Sequence, residues 1–62
     1  MMSEEVRKAI IELWLRSGVM NVTVDVLRFE VEEEEILIRI PDIRTQISEV
    51  NEALDDLERT LR

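Results

Sequence analysis

A chain of 62 residues makes one small domain that buries only ~60% of the surface its unfolded form exposes, so its stability is marginal and partners or staples are the usual remedy. It contains no cysteine and no histidine, which excludes disulfides, thiolate metal sites, thiol nucleophiles and imidazole bases. Fifteen acidic against eight basic residues give a net charge of -7, a field that repels phosphate backbones and anionic membranes and favours basic partners.

The first predicted element is a helix over about Glu4 to Ser17. Ser3 is placed to cap it, Glu4 and Glu5 complement the positive end of the helix dipole, and Gly18 supplies the stop. Glu4 with Lys8 and Glu12 with Arg16 are spaced i, i+4 in the favourable order and mark the solvent face. Val6, Ala9, Ile10, Leu13 and Trp14 form one wide apolar stripe, while Ile11 and Leu15 fall on a second, narrower one. That second stripe is read either as half-covered flank or as a contact with another chain.

From Met20 the apolar period changes to two, through Val22, Val24 and Val26, which predicts a half-buried strand. The phase slips at Val26 and Leu27, so the strand is expected to continue through Phe29 and Val31 with a bulge. Ile36, Ile38 and Ile40 form the return strand, ended by Pro41. The stretch FEVEEEEILIRI then reads as a hairpin with Val31 opposite Ile36, Phe29 opposite Ile38 and Leu27 opposite Ile40, leaving Glu32, Glu33, Glu34 and Glu35 as an acidic loop. In this register Met20 to Val26 has no partner strand, and Val22, Val24 and Val26 become an edge for pairing with another chain.

After Pro41, Asp42 is a plausible cap for a second helix running to about Leu61, with Asp55 to Arg59 and Glu58 to Arg62 as further ion pairs. Ile43, Ile47, Val50, Leu54, Leu57 and Leu61 are spaced 4, 3, 4, 3, 4 along it, a heptad seam that packs on the hairpin or on a helix of another molecule. The expected fold class is therefore α+β, in the order helix, antiparallel β-hairpin, helix, as a single domain over residues 1–62.

Catalytic chemistry has little to work with. Besides lacking His and Cys the chain has no Tyr and a single lysine, Lys8, and its serines and threonines have no base to activate them, so no enzyme activity and no cofactor are expected. The glutamate run offers oxygen ligands for calcium or magnesium, or a docking tooth for a basic surface, although consecutive side chains diverge. Arg28 and Arg39, cross-strand neighbours in the predicted register, hint at a basic patch and so at an antitoxin-like or transcriptional regulatory module. The longest apolar runs are three residues, against the ~20 that cross a bilayer, and the acidic start is unlike a signal peptide, so a cytoplasmic location is expected. Seven of the eight cations are arginine, a composition leaning towards a thermophile.

The run VTVDVLRFEVEEEEILIRIPDIRTQISEVNEALDDLERTL, with SEEVRKAIIELW before it, resembles the small dimerising subunit of the KEOPS tRNA-modification complex, without that family's first strand. The resemblance implies a sheet that dimerises and an accessory role beside a catalytic subunit. The function expected from the residues is a noncatalytic interaction module. It would form a homodimer or join a larger protein subunit through Val22, Val24 and Val26, with Ile11 and Leu15 as a second patch and without direct contact to nucleic acid or membrane.

Overall fold

Two α-helices and one turn of 3-10 helix make up the computed structural model, which describes residues 2–30 and 32–62. Helix α1 spans Glu4–Val26, the 3-10 turn Leu27–Phe29, and helix α2 Glu33–Leu61. No strand occurs among the described residues, so the expected α+β fold and its β-hairpin are replaced by an antiparallel helical hairpin.

Helix α1 begins as its sequence predicts: Ser3 is extended, and its Oγ accepts the Val6 N–H at 3.2 Å. Gly18, however, does not stop it. The glycine keeps a negative φ in the helix interior, at a cost of roughly 1 kcal/mol relative to alanine. The segment Met20 to Val26, expected as an edge strand, continues the helix. The physical reason is that Met20, Thr23 and Leu27 extend the 3, 4 spacing set by Val6, Ala9, Leu13 and Arg16, all of them half-buried. Packing along that continuous repeat outweighs the modest helix penalties of Val and Thr. Thr23 is accommodated by donating its hydroxyl to the Val19 carbonyl at 3.1 Å.

The reversal is short. After the 3-10 turn the backbone is extended at Glu30 and again at Glu32. Glu33, Glu34 and Glu35 then form the first turn of α2 rather than a hairpin loop, where their charge suits the helix N-terminus. Ile36 to Ile40, expected as the return strand, is helical as well. The expected pair of Val31 with Ile36 involves Val31, which lies outside the described residues. Asp42 caps nothing, since α2 is already two turns old there, and Pro41 lies inside the helix instead of ending a strand.

The two helices bury little. Half-buried side chains on α1 recur at seven-residue intervals in two adjacent rows, Val6, Leu13, Met20, Leu27 and Ala9, Arg16, Thr23, Glu30. They meet two rows of α2, Ile36, Ile43, Val50, Leu57 and Arg39, Gln46, Ala53. Among the described residues only Ala53 is fully buried, at 1% exposure. The Cα trace spans 48 × 16 × 9 Å with a radius of gyration of 14.7 Å, against about 10.6 Å for a compact domain of this length. A backbone only 9 Å deep in its thinnest direction is a single layer of helix.

Exposed Pro41 has no N–H to give the Leu37 carbonyl, and its ring crowds that turn. Pro41→Ala is accordingly expected to raise the free energy of unfolding by about 1–3 kcal/mol, measured by urea titration followed by far-ultraviolet circular dichroism. A loss of stability would show that proline terminates an element at this point.

Candidate interaction surface

Most of the ion pairs are local to one helix, and two arginines, Arg16 and Arg39, also tie separate parts of the hairpin together. Arg16 donates from Nε to Glu12 Oε1 at 2.8 Å and from Nη1 to the Glu49 carbonyl of α2 at 3.0 Å, with Glu52 at 3.6 Å. The hydrogen bond that Arg16 donates to Glu12 holds the guanidinium pKa above its usual value, against the opposing effect of desolvation. At the other end Arg39 Nε donates to Glu30 Oε1 at 2.8 Å, fastening the reversal to α2. Arg28 pairs with Asp25 at 3.1 Å and lies 5.1 Å from the centroid of the Phe29 ring. Arg28 and Arg39 are thus each matched by a carboxylate and do not make the cross-strand basic pair expected of them. Glu4–Lys8, Glu12–Arg16 and Glu58–Arg62 pair as their spacing predicts, whereas Arg59 takes Asp56, at 3.1 Å, in place of Asp55.

Glu33, Glu34 and Glu35 sit about 100° apart around the first turn of α2, with Glu32 just before it. No group of three or more acidic side chains converges to hold a cation among the described residues. A helix start favouring anionic side chains explains the glutamate run without a ligand.

What the hairpin does present is apolar surface, and its two broad faces differ. One is polar: a shallow groove there is lined by Val19 and Thr23 of α1 with Arg39, Asp42, Thr45, Gln46 and Glu49 of α2. On the opposite side of the seam lie Ile10, Ser17 and Val24 of α1, next to Ile40, Ile47, Leu54 and Leu61 of α2. The expected seam of α2 is therefore split between two directions. Ile43, Val50 and Leu57 turn towards α1, while Ile47 and Leu54 remain 45% and 46% exposed.

A second apolar surface runs along the outer side of α1. Trp14, Leu15, Val19 and Val22 surround Gly18, where an added Cβ would meet nothing within 4 Å, and together with Thr23 they line a shallow hollow of about 500 Å³. Of the residues singled out from sequence, Leu15 and Val22 come together here, and Ile11 lies one turn before Leu15; all three are exposed. Val24 belongs to the apolar broad face, and Val26 is half-buried beside Asn21, Val22 and Asp25. The grouping of Val22, Val24 and Val26 on one strand edge is overturned, because a helix keeps Val22 and Val26, four residues apart, on one side and turns Val24 to the other. Trp14, a member of the wide apolar stripe expected to pack inward, is 70% exposed. Gly18 and Val19 were not singled out as site residues; the available signal was an interior glycine in a stretch, Ser17 to Val24, that carries no charge.

No family model, curated protein or solved structure matches the chain. No helix among the described residues is long and apolar enough to cross a membrane.

Open space around Gly18 gives its substitution a defined sign. Gly18→Ala is expected to add roughly 1 kcal/mol of stability through helix propensity alone, read from the same denaturant titration. Destabilisation would mean that a second backbone approaches Gly18 closely in the assembled protein.

Proposed function

We propose that the chain is a noncatalytic protein–protein interaction module, one layer of a helical bundle whose second layer is supplied by another chain. The observation that supports this reading most directly is the single layer of helix with one fully buried side chain, Ala53, among the described residues. Stable domains pack at least two layers around a shared core. Here large apolar side chains, among them Trp14, Leu15, Ile47 and Leu54, face outward instead. The lack of His and Cys and of a converging acidic cluster among the described residues accords with a binding role. Association by strand pairing is replaced by association through helix faces, since the strands it requires are helical. An accessory subunit of a larger assembly is the setting in which such a half-bundle works.

Melting the full chain over a wide dilution series, with an apolar fluorescent dye as a second probe, tests this reading. Dilution is expected to broaden the helical transition and to raise dye binding, because the isolated layer has too little core to unfold cooperatively. A sharp transition by a dye-free single chain at the lowest concentrations would show that the hairpin needs no partner.

A further inference from the structure

The apolar broad face has a regularity that packing within one hairpin leaves unexplained. On α2, Ile40, Ile47, Leu54 and Leu61 recur every seven residues beside the inner row Ile36, Ile43, Val50 and Leu57, so the combined spacing is 4, 3, 4 without a polar interruption from Ile36 to Leu61. On α1 the row Ile10, Ser17, Val24 stands beside Val6, Leu13, Met20 and Leu27 in the same way, with Ser17 the one polar member. Two such rows per helix are what a helix needs when it packs between two neighbours in a four-helix bundle. Each helix of the hairpin has one neighbour.

The area agrees. The accessible surface is 5189 Å², whereas a folded monomer of this mass exposes about 4,200 Å². The excess of about 1,000 Å² is close to the ~800 Å² that each partner hides in an interface of standard size. A second hairpin is the occupant that fits. It offers a face of the same length and the same seven-residue repeat, and an isologous contact needs nothing else. Isoleucine at both kinds of seam position, Ile36, Ile40, Ile43 and Ile47, also suits higher-order packing, as it does in parallel coiled coils, better than a two-stranded one.

We infer that the apolar broad face, centred on Ile10 and Val24 of α1 and Ile40, Ile47 and Leu54 of α2, packs against the same face of a second copy to form a four-helix bundle. This rests on the interaction-module reading and names its partner. The outer side of α1 around Gly18 stays outside the contact. Each copy carries a net charge of -7, so association brings like charges together and salt favours it. A basic partner on the same face would show the opposite dependence.

Sedimentation equilibrium on the full chain, across concentration and salt, decides the matter. The expected mass is twice 7.3 kDa, with a dissociation constant that falls roughly threefold or more as sodium chloride rises from about 0.05 to about 0.5 M. Ile47→Glu is expected to weaken the dimer by on the order of 100-fold or more, and Ile47→Ala, which keeps the helix, by about 10-fold. Leu15→Glu, on the outer side of α1, should leave the mass unchanged. A dimer that survives Ile47→Glu and is lost in Leu15→Glu overturns the assignment of the face, and a mass of three or more copies overturns the two-hairpin bundle. A single-chain mass throughout overturns the second copy. In that event a dye-binding chain with a broad melt leaves the interaction module standing with a different partner, whereas a dye-free chain with a sharp melt removes both.

Discussion

The structure depends on a mismatch between the width of the apolar seam and the width of surface that one antiparallel neighbour covers. Helices α1 and α2 each carry rows of apolar residues on more of their circumference than the other can hide, and among the described residues only Ala53 is fully buried. At Ala53 a side chain of one carbon lets the two backbones approach, and the neighbouring Arg16 reaches the Glu49 carbonyl one turn away. Larger seam residues stay half-exposed because a single layer of helix has nothing above or below it. The hydrophobic effect, at roughly 25 cal/mol per Å² of apolar surface, acts on whatever closes that layer.

Polar contacts set direction and register more than they add stability. Arg16 and Arg39 are the cationic side chains within the inner rows: Arg16, paired with Glu12 of its own helix, also reaches the Glu49 carbonyl of α2, and Arg39 pairs with Glu30 at the reversal. Exposed pairs of this kind contribute at most about 1 kcal/mol each. A slip by a heptad would take Arg39 away from Glu30 and Arg16 away from the Glu49 carbonyl, which favours the observed register. Gln46, in the same row as Arg39, has an Oε1 atom shielded from solvent and without a hydrogen-bond partner within the hairpin.

Several local features were legible in the residues: the Ser3 cap, the acidic first turn of α1, the Glu12–Arg16 pair and the end of α2 at Leu61. The middle of the chain was not, for a reason that can be stated. Met20, Val22, Val24 and Val26 alternate like a strand, yet Met20, Val24 and Leu27 also continue a heptad begun at Val6, and over so few residues the two periods coincide. β-branched residues and an interior glycine favoured the strand locally, while a repeat running unbroken through α1 favoured the helix. Pro41 misled in the same way. It marks a probable boundary, but the 4, 3 spacing passes through it from Ile36 and Ile40 to Ile43, and the longer pattern prevails. Ile11 and Leu15 stood out from the first because no single neighbour can cover both stripes of α1, and both remain exposed.

Site-resolved amide hydrogen exchange as a function of protein concentration measures most directly whether this layer is completed from outside. Protection of the amides along α1 and α2 is predicted to rise and fall together with concentration, because folding of the hairpin and burial of its open seam are one event. Protection that stays high and constant at dilutions where only single chains exist would contradict the account.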